Sequence, residues 1–229
     1  EGVHHYLLLC ADTWKCDINN MDNYTDGIML VTVDTVAHRI MLTSFIRDML
    51  VLRPDGKYGR INAVASRFGL QGLVDTINSH FGLEIDKYIL VDWTDVGEII
   101  DALGGVDIEI DQNEYLAIRS ILLGKDPNMP DGPGLVHMTG RIALAYMRTR
   151  STGSGGDFAR TERQRKVVSQ LFDKCRDLSL MELVGLYNSV SSGMKMSLSA
   201  MDILSVLSQG YTLMTSGADF VEYRIPQDG

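Results

Sequence analysis

No apolar run in this 229-residue chain approaches the ~18–20 residues that a membrane-crossing helix needs, so the chain itself holds no span. Cysteine is scarce: Cys10, Cys16 and Cys175 are the only three, and none forms a CxxC pair. The five histidines show no HExxH-like spacing, so a zinc centre is a poor fit. Cys10 and Cys16 lie close enough in sequence to bridge a short loop in an oxidising compartment, or to stay as two thiols, and both readings stay open. Positive charge is also short: 21 Lys+Arg against 30 Asp+Glu leave a net −9 and a pI near 4.9, which speaks against nucleic acid as a partner. There is no internal repeat and no linker-like break in composition, so residues 1–229 read as one domain with ample core. The chain opens on Glu1 without Met and stops at Gly229 soon after a strand-like stretch. It is therefore expected to be a trimmed piece, with any signal or anchor removed.

The scarce positive charge is concentrated. From Arg141 to Arg176 nine Lys+Arg face three Asp+Glu, a local +6, which leaves −15 for the remainder of the chain. A cationic patch on an anionic protein points to one particular anionic ligand. Within YMRTRSTGSGGDFARTERQRK, Arg148 and Arg150 are two apart, which on an extended segment puts both on one face. Arg160, Arg163 and Gln164 fall at helical spacing, and Asp157 ahead of them is placed to cap the helix. The Gly/Ser/Thr loop between the two sets has little bulk, so a ligand can approach closely. Forked guanidinium groups and a helix N-terminus suit phosphate oxygens, giving a phosphate or pyrophosphate clamp. The competing reading is a solvated helix face of Arg–Glu pairs.

Along the chain, His5–Cys10, Ile28–Asp34, Arg39–Phe45, Lys87–Asp92, Val106–Ile110 and Val221–Ile225 read as strands, the second and third as a hairpin. Arg47-Asp48 sits at a strand end, where α/β sheets build sites. A helix with Leu73, Val74, Ile77 and Phe81 on one face closes at Gly82. Thr94 is placed to cap a helix carrying Val96, Ile99, Ile100 and Leu103, making 87–110 a βαβ unit. Residues 124–134 are a Gly/Pro-rich loop, and helices follow at 158–176, 180–192 and 199–215. The alternation predicts a single three-layer α/β/α domain around a mixed central sheet. Twelve Met residues, clustered at Met181, Met194, Met196, Met201 and Met214, either fill the core or line an adaptable apolar pocket.

TDGIMLVTVD, TSFIRD, RINAVASRFG, DALGGVDIEID and RTRSTGSGGDFARTERQR together resemble the LytR-CpsA-Psr family of Gram-positive bacteria, in collinear order from about His5 to Arg165 and more weakly to the IPQDG end. The resemblance implies a membrane-anchored enzyme on the extracellular face of the cytoplasmic membrane. Its anchor would be an N-terminal segment not present here. Such an enzyme moves a glycopolymer, such as teichoic acid or capsule, from an undecaprenyl-pyrophosphate carrier to peptidoglycan through a phosphodiester link, usually with Mg²⁺ (or Mn²⁺). Carried over by position, Asp12 and Asp26 correspond to the metal-site aspartates. Arg47, Arg60, Arg148, Arg150, Arg160 and Gln164 correspond to the pyrophosphate-binding set. Asp157 corresponds to the proposed base, and Arg47-Asp48 to the S-x-P-R-D motif, with Asp48 as a second candidate base. The sequence departs from the family at Tyr24, where an Arg is usual; at Ile46, where Pro is usual; at Arg60, where Lys is usual; and at Cys10, where Gly is common.

As chemistry, a metal and several Arg groups neutralise charge on the oxygens of a pyrophosphate under attack, while a carboxylate accepts the proton of a sugar hydroxyl. The carrier lipid needs an apolar slot, expected between the sheet and neighbouring helices. The same clamp serves a polyprenyl-pyrophosphate hydrolase, and without the base or metal it serves a binding module for polyprenyl pyrophosphate or wall polymer. A transcriptional regulator is a poor fit to a chain of −9 with no helix-turn-helix signal.

Overall fold

Thr25–Asp34 (β2) is a run rich in Ile, Met, Leu and Val and buried at almost every position, the pattern of a strand covered on both faces, whereas Val3–Ala11 (β1) alternates buried and half-buried positions from Leu7 onward. They form the middle of a mixed six-stranded sheet. Arg39–Phe45 (β3) pairs antiparallel with β2 across a tight turn, as the hairpin pattern predicts. Lys87–Val91 (β6) runs parallel to β1, Lys195–Met196 (β9) antiparallel to β6, and Asp219–Ile225 (β10) parallel to β3. The order across the sheet is β10-β3-β2-β1-β6-β9. Leu50–Leu52 (β4) and Tyr58–Arg60 (β5) form a separate hairpin. The computed structural model describes residues 2–13, 25–85, 87–149 and 156–226, with Asp157 described by its backbone alone.

By its contacts the chain divides into two compact units, Glu1–Trp93 with Gly193–Gly229, and Thr94–Ser192. In the first, helix α1 (Val64–Phe81) lays Val64, Ala65, Leu73, Val74 and Ile77 on the sheet face that carries Leu7, Leu9, Ile28 and Leu30. Most of these side chains are wholly buried, so truncating one to Ala costs about 2–5 kcal/mol. Gly82 ends α1 in the left-handed conformation, at φ 63°, as its position predicts. Helix α7 (Ala200–Thr215) begins at a Ser199–Asp202 capping box and is tied to β6 by Lys87 and Asp202 at 3.1 Å.

The second unit holds α2 (Trp93–Ala102, which starts at the boundary), the hairpin β7 (Val106–Ile110) with β8 (Gly134–Met138), α3 (Gln112–Ile121), α4 (Gly140–Arg148), α5 (Gly156–Arg176) and α6 (Leu180–Val190). The α/β class and mixed central sheet are as expected, with four corrections. Residues 87–110 do not form a βαβ unit: β7 leaves the central sheet and pairs antiparallel with β8. Thr94 lies inside the first turn of α2, which starts at Trp93. The chain is helical through Arg148, because Ala143, Leu144, Ala145 and Met147 are good helix formers with a buried face, so Arg148 does not begin an extended segment. Helix α5 starts at Gly156, so Asp157 stands in its first turn and not ahead of it.

Candidate functional site

Strand registers bring several chain ends to one edge of the central sheet. Ala11 lies opposite Thr25, Cys10 opposite Val91, Ser44 opposite Met29 and Phe45 opposite Ile225. Thus the carboxyl ends of β1, β3, β6 and β10 meet the start of β2, the kind of edge where α/β sheets build sites. The β1–β2 register slips there. Cys10 faces Gly27 while Ala11 faces Thr25, leaving Asp26 as the extra residue of a β-bulge. A bulge re-aims one side chain and is a common device beside functional sites.

Asp26 is nearly fully buried and is met by Arg47, whose Nη1 donates to both carboxylate oxygens at 2.9 and 3.0 Å. Arg47 Nε lies 3.8 Å from Asp48, and Arg60 Nη1 donates to the other Asp48 oxygen at 3.3 Å. The result is an alternating run, Asp26–Arg47–Asp48–Arg60, whose side-chain exposure rises from 3% to 18%, 42% and 57%. Its inner end is fixed and its outer end faces solvent. Asp48 bridges two guanidinium groups, which orients both. One backbone bond and one side-chain bond hold the run's main chain: Asn62 N donates to Arg47 O at 3.2 Å, and the Thr25 hydroxyl donates to Asn62 O at 3.3 Å.

Asp12 follows β1 at the same edge and is exposed, its Oδ1 accepting from Trp93 Nε1 at 3.2 Å. Trp93 N in turn donates to Thr13 O. Among the described residues no group of three or more His, Cys, Asp or Glu gathers that could hold a metal. Asp12 and Asp26 nonetheless supply the hard oxygen donors that suit Mg²⁺. Asn62 adds a third oxygen: its side chain is buried and its Oδ1 has no hydrogen-bond partner among the described residues. Trp93 and Asn62 were missed by sequence reasoning. The only signal was the place of Asn62 in the Arg-Ile-Asn triplet, whose meaning depends on the fold.

In the second unit, Arg160, Arg163 and Gln164 are all buried on α5, which overturns the reading of a solvated Arg–Glu face for these three. A solvated pair does exist one turn away, Lys166 with Glu162 at 3.5 Å. Arg163 is structural. Its Nη2 donates to Thr149 O, and its Nη1 lies 3.6 Å from Glu114. It thereby ties the end of α4 to α5. The cavity beside it, about 520 Å³, is lined by Glu109, Asp111, Glu114 and Glu162 against Arg163 and Lys166, an unfavourable setting for phosphate. Arg148 is half-buried at the last position of α4. Beneath it in the same helix, Tyr146 is fully buried with no partner for its hydroxyl among the described residues. Burial, and then the charge of Glu114, push that phenol well above its ordinary range.

Several expectations fall outside the described residues: Arg150, the Asp157 side chain, the Tyr24 departure and the Cys10–Cys16 bridge, since Cys16 is among them. The face of the sheet under α1 carries core side chains, among them Leu7, Leu9, Ile28 and Leu30. On the opposite face Tyr6, Leu8, Val31 and Ile89 are only half-buried. None of the five C-terminal methionines is buried, and Met181 and Met201 are 78% and 75% exposed, so the core reading fails for them.

Residues 4–227 match the LytR_cpsA_psr family. Among curated proteins the chain is similar to the polyisoprenyl-teichoic acid–peptidoglycan teichoic acid transferase TagV of Bacillus subtilis, 29% identical over 163 residues, covering 68% of this chain and 40% of that protein. It is also similar to TagU of Enterococcus faecalis, described by the same activity, 28% identical over 202 residues, covering 87% and 63%. The chain thus spans roughly half the length of such relatives. Among solved structures it resembles TagT bound to LIIa-WTA, with a TM-score of 0.80, 23% identity and coverage of 98% of this chain and 79% of that one. It also resembles YwtF (TagT) with bound octaprenyl pyrophosphate lipid, with a TM-score of 0.74, 22% identity and coverage of 98% and 78%. These likenesses establish the fold.

Proposed function

Because this chain belongs to the LytR_cpsA_psr family, we propose that it is a phosphotransferase acting on a glycopolymer linked to polyprenyl pyrophosphate, with peptidoglycan as acceptor. The observation that carries the reading is the run Asp26–Arg47–Asp48–Arg60 at the bulged sheet edge. A buried carboxylate holds one face of Arg47, so the guanidinium is fixed before any ligand arrives. A donor that needs no reorganisation stabilises charge developing on phosphate oxygens better than one free to wander.

In the reaction, an acceptor sugar hydroxyl attacks the phosphorus bonded to the polymer. The bond from that phosphorus to the bridging oxygen breaks, polyprenyl monophosphate leaves, and the polymer becomes joined to the acceptor by a phosphodiester. Arg47 and Arg60 bind phosphate oxygens on this reading, and Arg148, Arg150, Arg160 and Gln164 are assigned phosphate oxygens by the same chemistry. Asp157 takes the proton from the attacking hydroxyl, with Asp48 orienting the two arginines it bridges. Mg²⁺, when held by Asp12 and Asp26, supplies further charge neutralisation to the pyrophosphate oxygens. The proposed setting is the extracellular face of a Gram-positive membrane, through an anchor outside this chain.

The test is incubation of the purified protein with a polyprenyl-pyrophosphate-linked saccharide and peptidoglycan oligomers, with and without Mg²⁺, read by mass spectrometry. The expected product is a saccharide–phosphate adduct on the oligomer. It should fall about 10²–10³-fold in Arg47→Ala, the usual loss for one preorganised donor. Lipid that is bound but unchanged would reduce the protein to a binding module.

A further inference from the structure

The hairpin β4–β5 breaks the ordinary rule for a sheet with one face on the core, which is apolar inside and polar outside. Its inner residue, Val51, is buried in the core as expected. Its outer face is apolar as well. Leu52 pairs across the strands with Tyr58, and Leu50 with Arg60, so these four side chains share one side. Leu50, Leu52 and Tyr58 are 68%, 44% and 75% exposed. This platform is rigid. Leu52 N donates to His80 Nε2 at 2.9 Å, Arg53 N donates to Lys57 O at 3.0 Å, and the Arg53 guanidinium lies over the Phe68 ring.

The charge around it has the opposite sign to the rest of the chain. Residues 47–67 carry Arg47, Arg53, Lys57, Arg60 and Arg67 against Asp48 and Asp55, a local +3 that leaves −12 for the remainder. Lys57, Arg60 and Arg67 are exposed. A body so acidic is repelled by an anionic surface in most orientations, and an approach that presents this hairpin meets local positive charge instead. Leu and Tyr side chains ringed by Lys and Arg match the interface of an anionic bilayer, where apolar groups enter the headgroup–acyl boundary and cations meet phosphate. We propose that the β4–β5 hairpin is a membrane-docking element that seats on anionic lipid through Leu50, Leu52 and Tyr58, with Lys57 at the headgroups. The inference rests on the proposed lipid-linked substrate for its purpose alone: β5 ends at Arg60, so docking would hold the Arg47–Asp48–Arg60 edge at the membrane where such a substrate lies.

The test uses the full chain and unilamellar vesicles of phosphatidylcholine with and without one quarter phosphatidylglycerol, in a sedimentation assay. The vesicles contain no pyrophosphate lipid, so failure of the transferase reading and failure of docking are separate results. The protein should sediment with the anionic vesicles, and Leu50→Ser/Leu52→Ser/Tyr58→Ser should weaken binding at least tenfold with an unchanged Tm. Lys57→Glu, which leaves the apolar face intact, should weaken it roughly tenfold by reversing one cation near the surface. Binding by the triple variant equal to that of the parent chain, or no binding by the parent, would overturn the proposal. So would retention on insoluble peptidoglycan that the triple variant loses while vesicle binding is unaffected, which would assign the hairpin to wall polymer.

Discussion

Arg47 and Asp26 are unequal partners, and their inequality is measurable. The Asp26 side chain is 3% exposed, and its two oxygens accept from one nitrogen of Arg47 at 2.9 and 3.0 Å. Arg47 is 18% exposed and retains Asp48 at 3.8 Å if Asp26 is removed. Arg47→Ala therefore takes away the guanidinium that meets both oxygens of a buried carboxylate, and breaking a buried pair from that side costs about 3–5 kcal/mol. Asp26→Asn leaves a guanidinium with a second carboxylate and some solvent, so its cost is smaller, about 1–2 kcal/mol. The double variant removes both charges together and should be less destabilised than the sum, with a coupling of about 2 kcal/mol. Urea unfolding followed by circular dichroism gives all three values, provided the m-values agree. Equal costs for the two single variants, or strict additivity, would refute the argument that Asp26 is the buried anchor of the run.

Tyr146→Phe removes a buried hydroxyl that has no partner among the described residues, so stability should hold or rise by up to about 1 kcal/mol; a loss of that size in thermal unfolding would reveal a hidden bond. Cys175 is a free thiol whose burial raises its pKa to about 11 from 9.0, so its thiolate fraction at pH 8, and its alkylation rate by peptide mapping, should be roughly 100-fold below an ordinary cysteine. Asp202 is held at about 2, first by the Ser199 backbone N–H, then by the Ser199 hydroxyl and Lys87. Its folded-state pKa is depressed, so its contribution is present above about pH 4 and is lost as pH falls towards 2. Asp202→Asn should flatten the acid limb of a thermal-unfolding profile in that window.

What the sequence revealed was local. Strands β1, β2 and β3, the stripe of α1 and the three C-terminal helices follow from periodicity and caps that act over a few residues. What it hid was long-range. Val106–Ile110 is plainly a strand, yet nothing within it says that its partner is Gly134–Met138 and not the central sheet. Helix α3, not expected from periodicity, opens on a capping box of Asp111 and Glu114, a signal that is visible in the sequence. At the site, Arg47, Asp48 and Arg60 stood out by type, but the bulge that delivers Asp26 depends on a register slip between two strands. Arg163 looked equivalent to Arg160 at helical spacing; its commitment to Thr149 and Glu114 depends on how α3, α4 and α5 pack.

The most direct test of the central claim is the fate of oxygen during turnover. The protein is given lipid-pyrophosphate-linked saccharide and peptidoglycan oligomers in water enriched in ¹⁸O, and the phosphorus-containing products are weighed. Transfer to a sugar hydroxyl predicts an oligomer-linked phosphodiester and a released polyprenyl phosphate, neither carrying solvent ¹⁸O. Free saccharide phosphate carrying one ¹⁸O, with no oligomer adduct at any acceptor concentration, would contradict the account and make the protein a hydrolase.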